Sequence, residues 1–290
     1  MSLGISNIAW HADETVSVYE TISSLGVGYL EISPSLAFPD AEDALSPSEA
    51  DVERWAEALT VHGLRACSMQ SLLFGDAEAR IFGSPPQQER FLSRIGAAIR
   101  LAGRLGIPHL TFGCPTSRSL TAEVSQAEAG GYAAETFRKL ARLCSEHGCR
   151  LGLEPMAGDA GAVFLTKLSE VAHFVEMVDH PSVAMTLDTG AMLAADDLSS
   201  TLGVIETQAG RISHVQLSAP GLVGFPIEDP AVVSVIVALR ANGYRGGYSV
   251  EMRAGHSNNI EVVQSALMAA KRMLSDEYPS HRSGPRAPRI

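Results

Sequence analysis

Cysteine is scarce in this chain. Only four occur in 290 residues, Cys67, Cys114, Cys144 and Cys149, and no two are spaced as CxxC. Two fall in strand-like runs and two in or just after a helix-like run. That reads as reduced thiols of a cytosolic protein, not as a disulfide frame or a thiolate metal site. Long apolar runs are missing too: none approaches the roughly 18–20 residues that a membrane helix needs, so no membrane role is expected. The opening MSLGISNIAW lacks a basic segment followed by an apolar one, so secretion is not indicated and a cytoplasmic location is expected. Positive charge is short: 22 Lys and Arg against 33 Asp and Glu leave a net charge of −11. An acidic surface repels phosphate backbones and argues against a nucleic-acid partner. A few local arginines could still hold a small anion. Finally, no GxGxxG follows the first strand-like run, which argues against an open dinucleotide-binding sheet.

What is present is a repeat of two patterns. Apolar runs rich in β-branched residues alternate with segments of helical periodicity. The strand-like runs are 3–10, 29–33, 64–70, 109–113, 149–156, 182–190, 212–220 and 247–253. Between and after them lie helical patterns at 14–26, 46–63, 86–105, 122–148, 165–179, 198–210, 229–243 and 260–277. Ser46 is expected to cap the second helix, with Pro47 in its first turn, and Gly130–Gly131 is expected to break the fourth. Eight strand–helix units at intervals of about 30 residues predict an α/β fold, a closed (β/α)8 TIM barrel, over residues 1–277. Residues 278–290 carry Pro, Gly and Arg without periodicity and read as a flexible tail, a basic contact for a neighbouring copy if the chain forms a homo-oligomer.

Barrel enzymes place their chemistry where strands end. Strand by strand, the polar residues there are Ser6, Asn7 and Trp10; Glu31; Gln70; Arg118 a few residues on; Glu154; Asp188; His214 and Gln216; and Glu251 with Arg253. Four of them, Glu154, Asp188, Gln216 and Glu251, follow apolar runs on four consecutive strands. Burying such groups is costly unless they are paired or share a cation. Three carboxylates and an amide oxygen form a hard-oxygen donor set, suited to Mn2+ or Mg2+ and less obviously to Zn2+. Trp10 could stack on a substrate, Gln70 and His214 could hydrogen-bond one, Arg118 and Arg253 could bind an anionic group, and His256, after the last strand, could donate to it.

The runs LEPM (153–156), LDTG (187–190), SHVQLSAP (213–220) and SVEMR (249–253) resemble the xylose-isomerase-like barrel superfamily. That superfamily includes sugar-phosphate isomerases and epimerases, inosose dehydratases, 3-dehydroshikimate dehydratases and endonuclease IV. The resemblance implies a metal site at Glu154, Asp188, position 216 and Glu251. Three positions depart from the epimerase pattern. Gln216 stands where a ligand histidine is usual, and Ala191 and Met156 stand where further imidazoles would reach substrate. The 3-dehydroshikimate dehydratase branch is similar in having Gln on strand seven and Leu-Glu-Pro on strand five. The expected activity is isomerisation or epimerisation of a sugar or sugar phosphate by proton transfer next to a carbonyl. Glu154 and Glu251 would serve as acid and base on a small polyhydroxylated carbonyl substrate. A metal-dependent dehydratase and a catalytically weak carbohydrate-binding barrel are the alternatives.

Overall fold

The structure, a computed structural model, describes residues 2–120, 126–156, 164–225, 229–255 and 258–275. The predicted tail and His256 lie outside the described residues. Eight strands close on themselves in sequence order: β1 Ser2–Ser6, β2 Tyr29–Ile32, β3 Arg65–Met69, β4 His109–Phe112, β5 Arg150–Leu153, β6 Val183–Asp188, β7 Ile212–Ser218 and β8 Gly247–Glu251. Neighbouring strands are parallel throughout, and Leu3 opposite Tyr248 shuts the seam between β1 and β8.

The helices are α1 Thr15–Ser24, α2 Pro34–Ala37, α3 Glu49–Val61, α4 Pro85–Leu105, α5 Gln126–Glu146, α6 Leu168–Val178, α7 Thr189–Ala194, α8 Leu198–Gln208, α9 Pro230–Ala241 and α10 Asn259–Met273. Two local expectations are corrected. Ser48, not Ser46, caps α3: its hydroxyl accepts from the Asp51 amide at 3.2 Å, and the Asp51 carboxylate accepts in turn from the Ser48 amide. Helix α5 runs unbroken through Gly130–Gly131. Two mid-helix glycines cost about 1 kcal/mol each, and the burial of Ala133, Ala134, Phe137 and Leu140 outweighs that.

Strand side chains alternate between two environments. Ile5, Leu30, Ile32, Leu110, Phe112, Leu151, Leu153, Met185, Leu187, Val215, Leu217, Tyr248 and Val250 are fully buried between the sheet and the helices. A chain of edge-to-face rings, Phe91, Phe112, Phe137, Phe174 and Phe164, ties α4, β4, α5 and α6 together with centroids 5.3–5.7 Å apart from one ring to the next. The other set of strand side chains meets across the barrel axis and is polar. Ser6 touches Gln70, Glu31 touches Ser249 and Gln216, and His109 touches Thr186 and stacks on His214 at 4.9 Å. These pairs join non-neighbouring strands, so they fill the interior.

Candidate active site

A cavity of about 770 Å³ opens where the strands end. Its lining includes Glu154, Asp188 and Glu251, with Gln70 and Arg253. Sequence reasoning placed all five in the site, and the structure brings them together.

Each carboxylate is set by its strand. Glu154 is the first residue beyond β5. Its side chain occupies the space that a side chain at position 113 would need, since a Cβ on Gly113 would stand 2.7 Å from Glu154 Oε2. Asp188 ends β6 and caps α7: its Oδ1 accepts from the Ala191 amide, and the Ser218 hydroxyl reaches both carboxylate oxygens at 2.9 and 2.8 Å. Glu251 ends β8 and lines the same cavity as Asp188, whose charge adds to burial in raising the Glu251 carboxyl.

The electrostatics follow from that crowding. Burial, then the charge of Asp188, pushes the Glu154 carboxyl up to about 8. Burial raises Asp188 too, although the Ala191 amide and the Ser218 hydroxyl pull against it. Glu251 is held well above the usual carboxylate range by burial and by the charges of Asp188, Glu154 and Glu31.

Gln216 sits fully buried on β7, opposite Asp188 in the strand register. Its Nε2 donates to Glu31 Oε2 and to Gln70 Oε1, both at 3.1 Å, and its Oε1 has no hydrogen-bond partner among the described residues. Among the described residues, no three His, Cys, Asp or Glu side chains stand at metal-binding spacing. By donor chemistry alone, three carboxylates and an amide oxygen are the set a hard divalent cation takes; Glu154, Asp188 and Glu251 line the cavity, and Gln216 lies buried behind that lining. Burial and the charge of neighbouring carboxylates raise all three carboxyl groups, and a buried amide oxygen is left without a donor among the described residues.

Three predicted substrate contacts are corrected. Arg118 is fully buried and spends its guanidinium on backbone. Nη1 donates to the carbonyls of Glu154 at 2.8 Å and Leu165 at 3.4 Å, Nη2 donates to that of Phe112, and the fork lies 4.8 Å from the Phe112 ring centre. Trp10 packs edge-on against Tyr19 and donates to Thr15 and is not part of the cavity lining, because α1 offers its ring an aromatic neighbour and its indole N–H an acceptor. His214, two residues before Gln216, points to a deeper level of the barrel, where Nε2 meets Ser249 Oγ at 2.9 Å and Glu31 Oε1 at 3.4 Å.

Glu31 proves central where sequence reasoning noted it without a role. It is fully buried on β2 and accepts from Ser68 at 2.7 Å and Ser249 at 2.8 Å. Burial alone would raise its carboxyl, but hydrogen bonds from His214, Ser68 and Ser249 together hold it below the ordinary value. His109 is the reverse case: burial, with His214 beside it, pushes it well below its usual value. The missed residues, Ser68, His109, Thr186 and Ser249, left one sign: polar residues at every second place within otherwise apolar strands, as in HVQLS and YSVE.

The xylose isomerase-like TIM barrel family matches residues 19–273. The chain belongs to that family. Solved structures of the same barrel include D-psicose 3-epimerase with D-tagatose from Clostridium cellulolyticum H10, at 18% identity and a TM-score of 0.75, covering 94% of this chain and 99% of that one. L-ribulose 3-epimerase is similar at 17% identity and a TM-score of 0.76, over 94% of this chain and 95% of that one. So is 3-keto-D-glucoside 4-epimerase from E. coli, at 16% and 0.73, over 93% and 99%. At such identities the likeness establishes the barrel. No curated protein matches the sequence.

Proposed function

We propose that this chain is a divalent-metal-dependent sugar or sugar-phosphate isomerase or epimerase that moves a proton next to a carbonyl. The observation that carries the reading is the pair Glu154 and Glu251. They stand on strands separated by two others around the barrel, in one cavity; the Glu154 carboxyl is raised to about 8, and that of Glu251 is held well above the usual carboxylate range. A general acid or base works best with its pKa near the operating pH. One glutamate would take the proton from carbon on one face, and the other would return it on the opposite face. The folds of the epimerases named above support the same reading.

Glu154, Asp188, Gln216 and Glu251 would hold the cation, Mn2+ or Mg2+ before Zn2+ given an all-oxygen set. When bound, it supplies Lewis-acid stabilisation of negative charge on the carbonyl oxygen. Arg118 pins the backbone carbonyl of Glu154 and so fixes where its carboxyl enters the cavity. Gln70 and Arg253 line the cavity and would contact substrate. A dehydratase is the second reading. Met156 and Ala191 make the wall apolar where an epimerase of the usual pattern has imidazoles, so that side offers nothing to a substrate hydroxyl.

The test is solvent-deuterium incorporation next to the carbonyl, run with Mn2+ or Mg2+ over ketoses, ketose phosphates, inososes and 3-dehydroshikimate. Glu251→Gln should lower exchange about 10²–10⁴-fold while an amide oxygen still coordinates. Turnover within a few-fold of wild type would make Glu251 merely structural. Exchange accompanied by loss of water would favour the dehydratase. Binding of a substrate without exchange would leave a carbohydrate-binding barrel.

A further inference from the structure

We propose that Glu31, seconded by Gln70, is a positioning residue that fixes the Gln216 amide so that its carbonyl oxygen, and not its nitrogen, is the atom offered to the site; this rests on the reading of Gln216 as a ligand. The argument starts from what each group can do. An amide presents a donor end and an acceptor end of nearly equal shape, so only its neighbours decide which way it lies. Glu31 faces donors on every side: the Ser68 hydroxyl at 2.7 Å, the Ser249 hydroxyl at 2.8 Å, and His214 Nε2 at 3.4 Å. With its oxygens so ringed, the carboxylate accepts and does not donate. Gln216 must therefore turn its NH2 toward Glu31, and the 3.1 Å contact records that choice. The second N–H goes to Gln70 Oε1 at 3.1 Å, and Gln70 keeps that oxygen free by sending its own NH2 to Ser6.

Both amide hydrogens are thus used, and the remaining end, Oε1, is buried with no partner among the described residues. A buried acceptor without a donor is costly, and native structures leave few of them. Gln216 pairs across the strand register with Asp188, whose carboxyl faces the cavity. With Gln216 as a ligand, this oxygen would add a neutral donor to the carboxylate set. Where an imidazole would carry its own lone pair outward, an amide needs an external acceptor to do the same, and Glu31 is that acceptor.

Two measurements separate this inference from the metal reading beneath it. The first is made on metal-free full-length protein labelled with 15N-glutamine, with the Gln216 side-chain signal assigned by its loss in Gln216→Leu. Its amide protons should be protected from exchange in wild type, and they should shift and exchange at least tenfold faster in Glu31→Gln, whose side chain can itself donate. An unmoved signal overturns the proposal. Should Glu31→Gln not fold, Gln70→Met removes the other acceptor, and one of the two amide protons should lose protection. The second measurement is calorimetric titration with Mn2+. Glu31→Gln and Gln216→Leu should each weaken binding roughly tenfold, and Glu31→Gln should add nothing in the Gln216→Leu background. Additive losses would make Glu31 a structural residue and sink the proposal. If the amide responds to Glu31→Gln but wild type binds no Mn2+, the orientation stands and the metal reading fails.

Discussion

The two faces of the same strands are built on opposite principles. Outside the barrel, between sheet and helices, burial is apolar and redundant: each side chain touches many others, and no single contact decides the fold. Inside, burial is polar and specific. Glu31, Ser68, Gln70, His109, Thr186, His214, Gln216 and Ser249 are held by named bonds, and each group has few alternatives. TIM barrels usually fill that space with Val, Ile and Leu. The difference teaches where this protein is tolerant. The outer layer should accept volume-conserving exchange, whereas the inner one should fail at the loss of a single partner.

The largest expected effect tests the inner packing. A Cβ on Gly152 would stand 2.3 Å from His109 Cε1 and 2.4 Å from Thr186 Oγ1. Gly152→Ala should therefore destabilise by about 3 kcal/mol or more, read by urea denaturation, because neither neighbour can move without breaking its own bonds. A loss below about 1 kcal/mol would show that the interior yields. Next comes Arg118→Lys. An ammonium cannot satisfy carbonyls on β4, on the residue after β5 and at Leu165 together. We expect a cost of about 2–3 kcal/mol, with any exchange activity falling further because Glu154 loses its anchor.

The pH dependence sharpens the contrast between carboxylates. Glu154 rises from 4.5 to about 8 on folding, and Asp188 and Glu251 also rise. In that window the folded chain binds more protons than the unfolded chain, so stability falls as pH increases from about 4.5 toward 8. Glu31, held low, acts in the opposite sense, losing its contribution only under more acid conditions. Denaturation of chelator-treated protein at pH 5 and pH 8 should show the loss, on the order of a few kcal/mol. Glu154→Gln should flatten it, and added Mn2+ should offset it. The smallest effect is a control on the outer helices. Gly203 lies exposed within α8 with nothing near its absent Cβ, and Gly203→Ala should stabilise by about 0.5–1 kcal/mol.

These contrasts explain what could be read from the residues alone. The outer layer was legible: apolar periodicity and stop signals located eight strands and their crossover helices to within a few residues. The strand-end carboxylates were legible as well, because a Glu or Asp closing an apolar run is conspicuous. Arg118, Trp10 and His214 were placed by strand proximity, and proximity does not say whether a side chain faces solvent, backbone or the axis. The inner network was not legible, because Glu31 and Gln216 are 185 residues apart and become partners only when the barrel closes. Helices α2 and α7 are too short for periodicity to reveal, and α7 follows directly on Asp188, so one residue both caps a helix and lines the cavity.

A polar axis has a thermal consequence. Unfolding exposes apolar surface, which raises the heat capacity, and polar surface, which lowers it. This chain releases a large buried polar set along with its apolar layer. Its heat-capacity increment should be smaller than that of a barrel of equal length filled with branched aliphatic side chains. Its stability curve should be correspondingly flatter, with less strength lost on cooling and a broader temperature range over which the carboxylates at the strand ends keep their places.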